Sequence, residues 1–457
     1  MTKVGPVPLR VAIATPEYPP HAGGGLGQFY ATLAPALVHA GCQVDVVVAG
    51  AFSDGFPSYE HDGVHVHGIS RNAIDARVAE MPHLSAAPVF RRWVAASRAA
   101  HDQVCALAPD VVETTDFGLH FVAFMVEPTP GPVIVQCHGS LGQIAAHEPP
   151  QAQASLDLSL SQMAEATLLP VAHDLQSCGS ANAAEWHGRL GCHVVVLPPP
   201  VPPMAATEDS HDGEGLVVGR IQSWKGPAIL CEALRRVPHL RHVRWVGRDT
   251  DTGPGRQSLS EHLREKYPDV WGPVVDPVGP LPQAEVRLLQ RRARFVMVPS
   301  LWDVYNLTAP EAMRAGRVVI CSDQAGAIDL IEHGRNGFRV RAGDPAELAD
   351  VIDRVMSLSA AECAGIGALA RETVVAQLNP DANARLRVER MRDLVAAGPG
   401  RDPVPDWVAA FFSRAAGGHD RAFLDHVSLR DLSAYVGRRA GKSLLARAGL
   451  RPPRAAS

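Results

Sequence analysis

The chain has 457 residues, of which 46% are apolar and 20% charged, with a formal net charge of −5. That balance excludes a disordered chain, and the length allows two large domains with an extension or three of ordinary size. Between Arg430 and the C-terminus lie seven basic residues and one acid, so the preceding 429 residues carry a net −11 and general nucleic-acid binding is excluded.

Eight cysteines are scattered without a C-x-x-C pair, several inside apolar runs, which is the pattern of buried thiols in a reducing compartment. The N-terminal apolar run is too short for a signal-peptide core, and no stretch reaches the ~18 apolar residues of a membrane span. The expected location is the cytoplasm.

In chain order, "LRVAIAT" reads as a strand, followed by a helix over about Phe29 to Ala40 and by the strands "QVDVVVA", "VHVHGI", "DVVETT" and "PVIVQC". This alternation predicts a parallel sheet. A second series, "GLVVGR", "VRWVG", "VVDPVG", "RFVMVPS", "RVVICS" and "GFRV", restarts after residue 213. The expected organisation is an N-terminal Rossmann-like domain over 1–200, a Pro-rich linker over 201–214, a second Rossmann-like domain over 215–380 and a helical extension over 381–457. Two doubly wound α/β domains facing a cleft place ligands at the carboxyl ends of their strands.

The residues after each strand are therefore the candidates. After the first comes "TPEYPPHAGGGLGQF", where Gly23, Gly24, Gly25 and Gly27 allow a tight turn and close approach to an anion at a helix start. After "PVIVQC" comes "HGSLG"; His138 is read either as a strand-end filler or as a group facing substrate, and Ser140 nearly fits a hydrolase nucleophile elbow, except that His138 stands where that turn needs glycine. After "GLVVG" come Arg220 and Lys225, two cations suited to a diphosphate without a metal. "SLWDVYNLTAPEAMRAG" places Asp303 before a loop and Glu311 in the first turn of a helix starting at about Thr308, with Pro310 tolerated there.

Other patterns compete. Asp249 and Asp251 in "DTD" suggest a metal site or a turn, and the turn is preferred. His61, His65 and His67 suggest zinc, without an evident fourth ligand. "AGKS" at 440–443 lacks the glycine and strand that a P-loop needs.

Taken together, "YPPHAGGGLGQFYATLAPALVHAGCQVDVVV", "VIVQCHG", "GRIQSWKG", "DVYNLTAPEAM" and "QAGAIDLIEHGRNGFRV" resemble the retaining glycosyltransferases of family 4, which have the GT-B fold. The resemblance spans roughly residues 9 to 390. It implies transfer of a sugar from a nucleotide-sugar donor with no cofactor and no metal. Glu311 would bind ribose hydroxyls, and Arg220 and Lys225 the diphosphate, helped by amides around Tyr305, Asn306 and Leu307. Gly24 and Gly25 would approach the donor phosphate, Asp303 would hold the transferred sugar, and His138 would contact it near the reacting carbon.

Four departures from the family pattern fall around the sugar: Asp303 for the usual Glu, Asn306 and Ala325 for Gly, and Asp329 for Glu. The alternatives are another GT-B enzyme, such as a sugar epimerase or phosphorylase, and a non-catalytic nucleotide-sugar-binding protein. The acceptor stays open, a glycan or a lipid-linked molecule being the two classes considered. The basic tail is read as a helix packed on the first domain or, alternatively, as a peripheral contact with the inner membrane face.

Overall fold

The computed structural model describes residues 8–21, 24–148, 155–204, 215–398, 400–412 and 428–447. The first sheet consists of β1 (Arg10–Thr15), β2 (Gln43–Val48), β3 (Tyr59–His61), β4 (Val64–Gly68), β5 (Val111–Thr115), β6 (Val133–Cys137), β7 (Asp174–Ser177) and β8 (Val195–Val196). Their spatial order is β3-β4-β2-β1-β5-β6-β7-β8, parallel except where β3 meets β4. The second sheet, entirely parallel, consists of β9 (Gly215–Val218), β10 (Val243–Val246), β11 (Val275–Gly279), β12 (Phe295–Val298), β13 (Val318–Ser322) and β14 (Phe338–Val340), in the order β11-β10-β9-β12-β13-β14.

The central strands explain why both sheets are covered on both faces. Every residue of β5, β6, β12 and β13 is buried, the continuous burial that a parallel sheet between two helical layers requires. In each sheet the order reverses beside the first strand, between β1 and β5 and again between β9 and β12. Loops leaving the carboxyl ends of such neighbours diverge and open a crevice. Those ends lead to Glu17, Asp116, Arg220 and Asp303.

The helical stretch expected from residue 381 onward is not one appendage. Helix Ala360–Gln377 packs on the second sheet's layer, whereas Pro380–Ala397 returns to the first domain, burying Ala384, Val388 and Met391 in the core around the helix Gly25–His39. Arg387 on that returning helix is 1% exposed and donates to Gln136 Oε1 (3.1 Å), Gln176 Oε1 (2.8 Å) and Asn383 Oδ1 (2.9 Å). Arg390 grips Asp174 through two hydrogen bonds of 2.5 Å. Such a bidentate pair fixes direction as well as distance.

Next, helix Asp406–Phe412 buries Val408 and Phe412 in the first domain. Helix Leu429–Arg447 exposes Leu429, Tyr435 and Val436, and the side chains of Arg438, Arg439, Lys442 and Arg447 lie outside the described residues. Among the described residues no helix is long and apolar enough to cross a membrane. Most of the linker expected over 201–214 also lies outside them.

Candidate functional site

The helix expected from Phe29 begins earlier, at Gly25, with Gly24 as its N-cap. A Cβ at Gly24 would stand 2.3 Å from a Glu17 oxygen, whereas one at Gly25 would meet nothing within 4 Å. The reason is that Glu17 turns back over the helix start and accepts a hydrogen bond from the Gly27 amide (3.0 Å). Gly25 thus faces open space, while a carboxylate already sits in the turn that was expected to receive phosphate. Gly23 lies outside the described residues.

His138 follows β6. Its amide and that of Gly139 donate to Asp116, at 2.7 and 3.3 Å, so the end of β5 anchors the loop after β6. The imidazole lies edge-on to Phe29 and Tyr30, and its Nε2 is buried without a hydrogen-bond partner. Burial, reinforced by the Arg387 cation, pushes His138 down to about 3, so the ring is neutral. Asp116 goes the other way, up to about 7, because its burial outweighs the amides and the Thr115 hydroxyl that bond it.

Ser140 is fully buried and caps a helix. Its hydroxyl accepts from the Gln143 amide and Gln143 reciprocates on the serine backbone, a capping box that starts the helix Leu141–Ala146.

On the second domain, Gly226 takes φ 76°, and a Cβ there would lie 2.0 Å from the Pro299 carbonyl oxygen. Only glycine lets the Arg220–Lys225 segment press against the end of β12. Lys225 Nζ consequently donates to Asp303 Oδ2, and that same oxygen accepts from Asn306 Nδ2 (2.7 Å). Burial pulls Lys225 below the ordinary lysine value while Asp303 opposes the shift. Desolvation in the cleft, and then Arg248, lower Arg220, which Glu17, Asp303 and Glu148 partly offset.

Asp303 is itself fixed by its backbone, which donates to Gln324 and accepts from Gly326. Among the described residues the amides of Tyr305, Asn306 and Leu307 donate to no acceptor. The helix begins at Thr308 as expected, its hydroxyl pinned to the Val218 carbonyl at the end of β9 (3.1 Å). Glu311 in the first turn accepts from Gln290 Nε2 through Oε2 (3.0 Å), and burial raises its pKa.

The second domain thus gathers Arg220, Lys225, Asp303, Asn306 and Glu311 around three free amides, and His138 stands on the first domain. The halves meet beside them. Trp224, Trp302 and Val304 of the second domain pack with Ile144 of the first, and His147 stacks on Trp302 with ring centroids 4.4 Å apart. Asp329, expected near the sugar, instead takes hydrogen bonds from the Ser180 amide and hydroxyl, at 3.1 and 3.0 Å, across the boundary.

The competing patterns resolve locally. Asp249 accepts from Ser258 Oγ (2.5 Å) and from the amides of Thr250 and Ser260, so it shapes a turn. His67 bonds Asp45 (2.8 Å) and His65 approaches it at 3.8 Å, on strand β4 near the sheet edge.

Residues 24–174 match a family model described as glycosyl transferase 4-like domain, and residues 214–357 one described as glycosyl transferases group 1. An uncharacterized glycosyltransferase of Methanocaldococcus jannaschii is 24% identical over 371 residues, 76% of this chain and 89% of that one. A D-inositol 3-phosphate glycosyltransferase of Frankia alni is 33% identical over 200 residues, 40% of this chain and 42% of that one. Among solved structures, a sucrose-phosphate synthase from Thermosynechococcus elongatus superposes with a TM-score of 0.69 at 20% identity, covering 85% of this chain and all of that one. The HepE protein of Anabaena, solved with UDP and glucose, gives 0.63 at 16% identity over 84% of this chain and all of that one. These likenesses show the two-sheet GT-B fold.

Proposed function

Since the chain belongs to the family 4 glycosyltransferases, we propose that it moves a sugar from a nucleotide-sugar donor to an acceptor hydroxyl, with retention at the anomeric carbon and without a catalytic metal. The observation that carries this reading is the Lys225–Asp303 pair beside Arg220 and the free amides of Tyr305, Asn306 and Leu307. Cations and unpaired N–H groups held at strand ends suit a diphosphate, and a carboxylate within reach of the same loop suits sugar hydroxyls. The UDP and glucose held by the Anabaena protein support that donor class.

The mechanism follows from where charge develops. As the bond between the anomeric carbon and the diphosphate oxygen breaks, negative charge grows on the leaving group, and Arg220, Lys225 and the loop amides stabilise it in place. The acceptor hydroxyl attacks from the face that the diphosphate leaves, and its proton passes to a departing phosphate oxygen. This requires no protein nucleophile. His138, neutral and with Nε2 unpartnered, offers a hydrogen bond to the sugar and adds no positive charge of its own. Glu311 keeps Oε1 for ribose while Gln290 holds Oε2.

Purified protein should be incubated with UDP-, GDP- and ADP-sugars and cell-extract acceptors, following nucleotide release and the anomeric proton of the product. A product whose anomeric configuration matches the donor supports the reading. Inversion, or product formation only when a divalent metal is added, would overturn the corresponding part of it.

A further inference from the structure

Asn306 is one of four non-glycine residues with positive φ among those described, at 67°. Glycine occupies that region without strain, and asparagine tolerates it better than most side chains. The two polar side-chain atoms of Asn306 differ sharply: Nδ2 is spent on Asp303 Oδ2, whereas Oδ1 is buried and has no hydrogen-bond partner. Asp303 shows the same asymmetry, since Lys225 and Asn306 both donate to Oδ2 and neither reaches Oδ1.

Amide orientation is settled by the neighbour, because a carboxylate can receive only the Nδ2 side. The unmet acceptor is therefore Oδ1, and leaving such an atom desolvated disfavours the unliganded state. What completes it must bring donors. Lys225 spends one of its three donors on Asp303 Oδ2 and makes no hydrogen bond to Asn306 Oδ1, and the flanking amides of Tyr305 and Leu307 suit an anion. A ligand lying along this loop thus meets N–H donors from the loop amides together with two oxygen acceptors, from Asp303 and Asn306.

Resting on the nucleotide-sugar reading above, we propose that Asn306 is a specificity-determining residue for the transferred sugar. Its Oδ1 accepts from one sugar hydroxyl, while its Nδ2 turns Asp303 so that Oδ1 of the carboxylate accepts from the neighbouring hydroxyl. Sugars that carry adjacent hydroxyls in the matching orientation fill both acceptors. An epimer or a deoxy sugar leaves one empty, and a site built for hydrogen-bond donors discriminates strongly against a ligand lacking one.

The test compares wild type with Asn306→Gly and Asn306→Asp in the full chain, titrating UDP, GDP and ADP alone and then their glucose, galactose, mannose and N-acetylglucosamine forms. Gly accepts the backbone conformation, and thermal unfolding of each variant confirms that the fold is retained. The expected result for N306G is nucleoside diphosphate affinity within about threefold of wild type, loss of about tenfold or more on the preferred nucleotide sugar, and a narrower spread between epimeric sugars. N306D, which sets a carboxylate against Asp303, should lose more sugar affinity than N306G. A deoxy donor should be penalised by wild type and much less so by N306G.

Wild-type ranking and affinity in N306G, which keeps the backbone amide facing the diphosphate, would overturn the proposal, as would an equal loss for nucleoside diphosphates and nucleotide sugars, which would place the Asn306 side chain with the phosphate. If the wild-type chain itself binds none of these ligands, the donor reading fails first and takes this proposal with it.

Discussion

Ser180, at the start of a first-domain helix, donates its amide and its hydroxyl to the two oxygens of Asp329 in the second domain. Both residues are exposed, so this is a latch on the rim of the boundary. Gly179 beside it would bring a Cβ within 2.9 Å of the Val304 carbonyl oxygen, which shows how close the halves lie here. Asp329→Ala should shift the domains towards open forms by about 1 kcal/mol. The checks are an increased radius of gyration in solution scattering and a several-fold rise in the donor KM. No change in either would show that the His147–Trp302 stack suffices.

Glu311→Ala should weaken nucleoside diphosphate binding by about 1 to 3 kcal/mol, since charge-assisted hydrogen bonds to ribose would be lost. Titration with UDP, GDP and ADP measures it. Gln290→Ala, which removes the donor on Oε2, should weaken binding less, because the carboxylate remains.

Arg220→Ala or Lys225→Ala should each cost about 10²-fold or more in turnover, as positioned charge on the leaving group is removed. Activity should persist in a chelator. If instead EDTA abolishes turnover and Mg²⁺ or Mn²⁺ restores it, the charge on the diphosphate is balanced by an ion and not by these side chains.

A pH dependence follows from Asp116. Its folded pKa of about 7 stands above the unfolded value of ~3.9, so between those limits the folded state binds the extra proton and this carboxyl costs increasing stability as pH rises. Glu165, also pushed up to about 7 by burial, acts in the same sense. His138 and His120, lowered to about 3 and about 4, act oppositely below pH ~6.5. The difference between Asp116→Asn and wild type isolates one member of this set. Denaturant unfolding should find the variant gaining on wild type by up to about 1.4 kcal/mol per pH unit from pH 5 to 7, and little further above it. A difference that stays constant with pH would show that Asp116 is ionised throughout.

Local periodicity made both sheets legible, and the first-turn position of Pro310 put the helix start at Thr308, where it is observed, three residues before Glu311. The same reasoning singled out Arg220, Lys225, Asp303 and His138 as candidates, since each follows a strand. It could not find their supports. Asp116 holds the His138 loop from 22 residues away and Gln290 holds Glu311 from 21, contacts that depend on which strands become neighbours. Glu17 was in view within the glycine-rich stretch, yet nothing in its spacing says that the chain folds back onto Gly27. The family resemblance puts Asp329 around the sugar, whereas its carboxylate accepts from Ser180 of the opposite domain. Arg387 is the extreme case: its partner Gln136 lies 251 positions earlier, and an arginine in an amphipathic helix reads as a solvent-facing residue until the packing is known.

The helix Pro380–Ala397 also changes what it means to divide this protein. The polypeptide leaves the first domain once, after β8, and comes back through Arg387 and Arg390, so each half is joined to the other by two strands of chain that run in opposite directions. A break engineered between the sheets would leave the pieces threaded together by that return passage. A fragment ending before residue 380 would lack the guanidinium that Gln136 and Gln176 share, and with it the cation that reinforces burial in keeping His138 uncharged. The boundary of the first domain is therefore a set of contacts and not an interval of sequence, and a vector encoding residues 1–200 alone would express an incomplete core.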